Sequence, residues 1–505
     1  MTSSSEVSLP YKELGIEQIL ILSLFLLLLN IMNAILDRVI YCGLLGPVLL
    51  GIVFDTPGTQ WLYHETEEAI GHLGSLGLTL IVYEGGLSTS ISSLKANLFL
   101  SSAVACTGVT APIALSFLLK PMADATSLQA FAAGAALCST SLGTTFTIMS
   151  VSGLTNTRLG IVLGTAAMED DVIGLVMVQI ITGLGGPDAS IAAMTIVRPI
   201  AVSIGFAIIL PLICVFLVKP VTQLLTRQPA TGLRARLLRS TKIPLVVLMI
   251  HTLILLGLIS GASYAETSTL FAAYLAGACI SWFDETSPFL VSHGQTPVEE
   301  TCNSSAITTA ISPVSTINGD VGAMVEKKLT GVTVYEKYYA QPLNKIFKPF
   351  FFASVGFSIP ITHMFSGAVV WRGIVYSMLM ALGKLLCGIW FIGHTTGTVT
   401  ESDHAEPDIR RSLYSAAILG SAMVARGKIG FLGSSLAASN GIFDPRGNAA
   451  DVFLIVTWAI VLCTILGPVA VGLLMRRLRA WQKRKDRIAA RANEWDTFRD
   501  WNDGE

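Results

Sequence analysis

The chain has 505 residues, 52% hydrophobic and only 13% charged, with a mean hydropathy of +0.65 and a formal net charge of −1. An ordinary soluble domain carries about a quarter charged residues, so a soluble fold of this composition would lack the polar groups to cover its core, and the hydrophobic content excludes disorder. Lys plus Arg (33) balances Asp plus Glu (34), which leaves no global basic field for nucleic acid. What remains is a polytopic membrane protein.

The N-terminal stretch MTSSSEVSLPYKELG has no basic n-region, and the apolar run after it exceeds a signal-peptide core. Residues 1–14 are therefore read as an extramembrane N-terminus and the run as a retained first span. A bilayer core of roughly 30 Å takes about 20 apolar residues per helix. Thirteen spans are predicted: 15–36, 39–54, 70–91, 96–119, 127–150, 157–182, 196–218, 243–260, 268–283, 346–362, 369–394, 412–438 and 450–474. Several are rich in Gly, which membrane helices use for close packing.

Orientation follows from Lys and Arg in short loops. Residues 219–242 hold Lys219, Arg227, Arg234, Arg236, Arg239 and Lys242 with no acid, and the tail from 476 opens with Arg476, Arg477 and Arg479. Residues 55–69 carry Asp55, Glu65, Glu67 and Glu68 with no Lys or Arg. With alternating spans the two basic segments share a side, which puts the N-terminus outside and the C-terminus in the cytoplasm of a plasma membrane or endomembrane protein. Residues 284–345 form a long, acidic cytoplasmic loop whose middle is small and polar, with an amphipathic helix predicted over 325–345. The sequon at Asn303 faces the cytoplasm on this topology. The basic tail 476–505 reads first as a positive-inside anchor, and with Trp481 also as a surface for anionic lipid.

The eight Cys and seven His are scattered, with no CxxC pair and no HExxH. Neither a disulfide framework nor a zinc site is expected, and no cofactor is implied.

Ionisable groups within a span cost about 2.5–3.5 kcal/mol each on insertion scales, so those present carry the functional argument. Glu169, Asp170 and Asp171 stand consecutively near the middle of 157–182. Successive helical residues point about 100° apart, so the three carboxylates face different surroundings. They cannot all be ionised without compensation. Lys384, Arg426 and Lys428 supply positive partners from other spans. Glu84 is a further buried carboxylate, read as a structural partner before a proton relay; His251 reads as a packed or interfacial histidine.

Residues 138–145 (CSTSLGTT) put hydroxyls and a Gly in mid-span. Such a run unwinds where the freed backbone lines a cavity, and its carbonyls and hydroxyls are hard oxygen ligands for an alkali cation. Residues 421–435 (SAMVARGKIGFLGSS) form a second candidate break. The two spans are seven apart in order, as inverted repeats after one extra helix require.

By position, YEGGLSTS, STSLGT, AMEDDVIGLV, KPFFFASVGFSIPI, GKLLCG and VARGKIG follow one another along 40–474. Together they resemble the monovalent cation/proton antiporter superfamily, the sodium/proton exchangers of the paired-aspartate branch. The resemblance implies an all-α antiporter fold of about thirteen spans with two broken, crossing helices. It implies a mobile core (96–182 and 369–474) and a dimerisation scaffold (15–91 and 196–362) of a homodimer. Carried over, Asp171 is the main cation and proton carboxylate, Asp170 is its partner paired with Lys384, and Thr140 and Ser141 lie at the crossing as further candidate ligands of the ion. Lys428 stands where relatives commonly have Glu, and Glu169 precedes the pair; both departures bear on selectivity and on the charge moved.

The expected function is exchange of Na⁺ or Li⁺, or K⁺, for H⁺ by alternating access, without enzymatic chemistry. Desolvation disfavours an ionised carboxylate and a nearby cation favours it, so Asp171 holds either a proton or a metal cation. An intramembrane aspartyl protease needs its two Asp on separate helices, and an ATP-driven pump needs a phosphate loop, of which no GxxxxGK[ST] occurs. A cation channel or an ion-coupled organic-solute symporter on a related fold is the alternative.

Overall fold

A computed structural model of the chain describes residues 15–40, 43–54, 61–89, 91–141, 157–184, 193–220, 243–265, 267–286, 330–357, 359, 364–395, 409–443 and 449–502. Among the described residues the regular structure is helical throughout. In order these are α1 (Ile16–Ile40), α2 (Leu45–Phe54), α3 (His64–Leu87), α4 (Ile91–Ser116), α5 (Leu119–Ala123), α6 (Ser127–Cys138), α7 (Arg158–Leu184), α8 (Ala193–Ile213), α9 (Pro244–Tyr264) and α10 (Thr269–Thr286). They continue with α11 (Gly331–Tyr338), α12 (Lys348–Phe357), α13 (Gly367–Leu385), α14 (Ile389–Thr395), α15 (Ile409–Val424), α16 (Lys428–Ser439) and α17 (Ala449–Asn502). Each predicted span contains helix, and among the described residues 7 stretches are long and apolar enough to cross a membrane. The sequon at Asn303, most of the basic loop and residues 142–150 of the fifth predicted span lie outside the described residues.

The chain divides into two compact units, one of residues 1–78 with 343–365 and one of residues 79–342 with 366–505. In the first, the Leu-rich α1 turns Phe25 and Leu29 inward while Leu20 and Leu27 stay outward, as a lipid-facing helix requires. Phe25, Leu29, Phe54, Ile70, Phe350 and Ala353 form its core. Gly51 of α2 lies against the backbone of α12, where a Cβ would strike the Ala353 carbonyl; only a glycine lets the two helices approach so closely. A π-helical turn at Leu343–Phe347 precedes α12, and Asn30 Nδ2 donates to the Lys345 carbonyl at 2.9 Å.

In the second unit, α4, α7, α14, α15 and α17 bury Leu100, Val104, Val162, Phe391, Leu419 and Val471 together. α6 opens with a capping box between Thr126 and Gln129. Its Ala132, Ala133, Ala135 and Ala136 are wholly buried, and these short side chains let neighbouring backbones close on it.

α6 ends at Cys138, at the start of the hydroxyl run where a break was expected. Two boundaries differ from expectation. The predicted amphipathic helix of 325–345 is described from Gly331, after a Thr330 cap. The last helix does not stop near 474 but continues to Asn502, because the basic tail is rich in Arg and Ala, both good helix formers.

Candidate ion-binding site

Two interruptions of helix build the site. α6 stops at Cys138, Ser139 is extended, and Thr140 and Ser141 lie outside any helix. α15 stops at Val424, and α16 starts at Lys428 after Ala425–Gly427. A helix C-terminus leaves carbonyls without partners, and here each break supplies donors to the other. Arg426 Nη1 donates to the Cys138 carbonyl at 3.3 Å and the Ser139 carbonyl at 3.1 Å. Thr140 Oγ1 lies 3.2 Å from the Met423 carbonyl. The Ser141 amide donates to the Ala425 carbonyl at 2.8 Å, which joins the breaks through main chain alone. Thr464 of α17 donates to the Arg426 carbonyl at 3.1 Å. Gly427 is needed at the crossing, since a Cβ there would lie 2.7 Å from Ser141 Oγ.

The carboxylates of α7 meet this crossing at different angles. Asp170 is fully buried beside the fully buried Lys384. Lys384 Nζ donates to Asp170 Oδ2 at 2.7 Å and to Thr140 Oγ1 at 3.0 Å. Thr140 Oγ1 in turn donates a hydrogen bond to Asp170 Oδ2 at 2.5 Å, closing a triangle. Lys384 lies near the end of α13, which runs on through a 3-10 turn at Leu386–Gly388 into α14. Asp170 Oδ1 is buried with no hydrogen-bond partner among the described residues. Asp171 is buried too, and it accepts from Ser139 Oγ at 3.0 Å. Glu169 points elsewhere: it is half-buried and accepts from Ser101 Oγ of α4 at 2.6 Å.

The predicted residues Asp170, Asp171, Thr140, Ser141, Lys384 and Arg426 thus come together at the crossing. Lys428, half-buried, sits at its edge on the first turn of α16. Glu84 is not part of it and lies near Tyr335. Ser139 is the addition: the sequence placed it within the hydroxyl run but did not distinguish it from its neighbours.

The family model described as sodium/hydrogen exchanger, transmembrane, matches residues 21–311, more than half of the chain. The chain belongs to the sodium/hydrogen exchanger family. It is accordingly an integral membrane protein of a transporter class that exchanges monovalent cation for proton, and the expected resemblance is met. Among relatives, the Na⁺/H⁺–K⁺ antiporter GerN of Bacillus cereus is 22% identical over 434 residues, 84% of this chain and 88% of GerN. The probable Na⁺/H⁺ antiporter GerT of Bacillus cereus is 26% identical over 164 residues, 32% of this chain and 41% of GerT. Against GerT, then, the match spans under half of the relative's length. In fold, the sodium/proton antiporter MjNhaP1 of Methanocaldococcus jannaschii superposes with a TM-score of 0.56 at 17% identity, covering 91% of this chain and 97% of that one. The all-α antiporter-like fold is therefore shared; the alternative of a channel or organic-solute symporter gains no support.

Proposed function

We propose that Asp171 is the carboxylate at which a proton and Na⁺, or the smaller Li⁺, compete, and that this competition couples the two fluxes. GerN handles K⁺ as well; the proposal here is confined to Na⁺ and Li⁺. One observation carries the reading. Two adjacent buried carboxylates lie against two main-chain breaks, and one of them, Asp170, is already neutralised by Lys384. Asp171 is left with a single hydroxyl donor, so a proton or a cation remains to offset its charge. Carboxylate and hydroxyl oxygens are the donors that hard alkali cations take. The oxygens proposed to receive the ion are those of Asp171, Asp170 Oδ1 and Ser139, with Thr140 and Ser141 shaping the crossing.

Either load neutralises Asp171, and an empty ionised site is held back by the cost of carrying charge through a low-dielectric barrier. No nucleotide or enzymatic step enters. We further propose that 96–182 and 369–474 form the moving core, and that 15–91 and 196–362 form the scaffold of a homodimer. The N-terminus is proposed outside and the C-terminus cytoplasmic, with the basic tail against anionic lipid. The Arg and Lys of 219–242 and of the tail support that orientation.

The test is Asp171→Asn in proteoliposomes with a pH-sensitive dye. The variant is expected to fold and to lose Na⁺-dependent proton flux. Sustained flux in it would refute the role of Asp171.

A further inference from the structure

Ser139 reaches Asp171 across a gap in the surface of α7. Gly174 stands three residues beyond Asp171 in that helix, and residues at this spacing share a face. Side chains of a helix lean toward its N-terminus, so any side chain at 174 would lean back toward Asp171. A glycine inside a helix is less favourable than an alanine, and its presence in the middle of α7 calls for a packing reason. Ser139 supplies one. A Cβ at 174 would stand 2.7 Å from Ser139 Cβ and 3.0 Å from Ser139 Oγ. Carbon atoms pack best at about 3.5–4.0 Å, so a side chain at 174 and Ser139 in its present place exclude each other. The next atom met is Ile429 Cγ2 of α16, at 3.2 Å, which closes the same spot from the second break. The room that Gly174 leaves is thus filled by the hydroxyl that donates to Asp171 Oδ1 at 3.0 Å.

The first break gives Ser139 little freedom to retreat. Its backbone is extended, with φ −72° and ψ 146°. Arg426 Nη1 holds the Ser139 carbonyl at 3.1 Å and the Cys138 carbonyl at 3.3 Å. Two residues on, the Ser141 amide is bonded to the Ala425 carbonyl at 2.8 Å. With the main chain pinned on both sides, the side chain yields first, by rotation. A second acceptor stands near Ser139 Oγ, the Thr140 carbonyl at 3.5 Å, at the outer limit of a hydrogen bond. A methyl group at 174 would therefore turn the hydroxyl off Asp171 and toward its own backbone.

We infer that Gly174 is a positioning residue for ion binding: by carrying no side chain it fixes Ser139 Oγ against Asp171, and so sets how tightly, and for which alkali cation, the site closes. The inference rests on the proposed role of Asp171. For hard cations held by oxygen, selectivity follows cavity size, ligand number and rigidity, and here the place of one oxygen depends on a neighbour that has no polar side chain of its own.

The experiment uses the full chain in proteoliposomes and compares Gly174→Ala, Ser139→Gly and the double variant, with KM read for Na⁺ and for Li⁺ at one alkaline pH. Gly174→Ala raises the KM for Na⁺ about tenfold, the effect of losing one hydrogen bond to a charged group. Its kcat changes much less, as for a lost binding contact. Its ratio of Li⁺ to Na⁺ KM matches that of Ser139→Gly, a fingerprint that looser helix packing would not reproduce. In the Ser139→Gly background there is neither a carbon to strike nor a hydroxyl to displace, so adding Gly174→Ala leaves both KM values where Ser139→Gly puts them. A wild-type KM in Gly174→Ala, a ratio that departs from that of Ser139→Gly, or a further tenfold rise in the double variant overturns the inference. So does relief of Gly174→Ala by Ile429→Ala and not by Ser139→Gly, which would make Ile429 the contact that matters. If Gly174→Ala is too unstable to assay, thermal unfolding of the three variants in detergent takes its place. A double variant as stable as Ser139→Gly supports the inference, and one as unstable as Gly174→Ala overturns it. Failure of the underlying reading looks different, since it would be exchange persisting in Asp171→Asn whatever residue stands at 174.

Discussion

Asp170 and Asp171 are consecutive residues of one helix, yet their surroundings have little in common. Asp170 is locked in a dry triangle with Lys384 and Thr140, each contact at 3.0 Å or less. Asp171 has one hydroxyl donor, Ser139 Oγ, at 3.0 Å. A rotation of about 100° along α7 separates a carboxylate closed on Lys384 and Thr140 from one with a single hydroxyl donor. Stability and transport should therefore divide between the two neighbours.

Mutations can break or sharpen that division. The largest effect is expected from Lys384→Ala, which strands a buried charge on Asp170 and should lower stability by about 3–5 kcal/mol. Thermal unfolding in detergent checks it, and adding Asp170→Asn should restore most of the loss; a single variant as stable as wild type would dissolve the contrast. In whatever fraction folds, the pH profile should change more than maximal flux does. Gly427→Ala comes next. Its methyl group collides with Ser141, at about 1–3 kcal/mol for an overpacked site, and both the unfolding temperature and flux should fall together. Ser139→Ala acts on the Asp171 side alone. Loss of a hydrogen bond to a charged group is worth about 1.5–3 kcal/mol, so the KM for Na⁺ near neutral pH should rise about tenfold or more with stability nearly unchanged. The smallest effect is expected for Ser101→Ala, which removes one hydroxyl donor from the half-buried Glu169, where a hydrogen bond contributes roughly 1 kcal/mol. Exchange should continue at close to the wild-type rate; a large loss would bring Glu169 into the site.

What could be read from the sequence follows from cost. A charge within an apolar span is expensive, so Asp170, Asp171, Lys384 and Arg426 stood out before any coordinates, and the structure gathers all four. The breaks were legible for a related reason, since hydroxyls and glycines in mid-span are unusual. Direction was not legible. Three adjacent acids carry no mark of which one meets α4, which meets Lys384 and which meets Ser139, because that depends on how α7 is rotated against its neighbours. Ser139 was hidden among equivalent hydroxyls for the same reason. Glu84 looked like a member of the buried charge set because it shares their apolar context, but it lies beside Tyr335 instead. The length of α17 was missed because hydropathy marks where a helix leaves the hydrocarbon and says nothing about where the helix ends.

The bond from the Ser141 amide to the Ala425 carbonyl belongs to the peptide chain itself. Nearly any side chain at either position would preserve it, so ordinary substitution scanning is blind to this stitch, and a comparison of homologous sequences would show no trace of it. Only an edit that deletes the donor, such as proline or a backbone ester at 141, reaches it. A pair of strands of the cradle sewn together in this way has to travel as one piece, whatever alphabet decorates it.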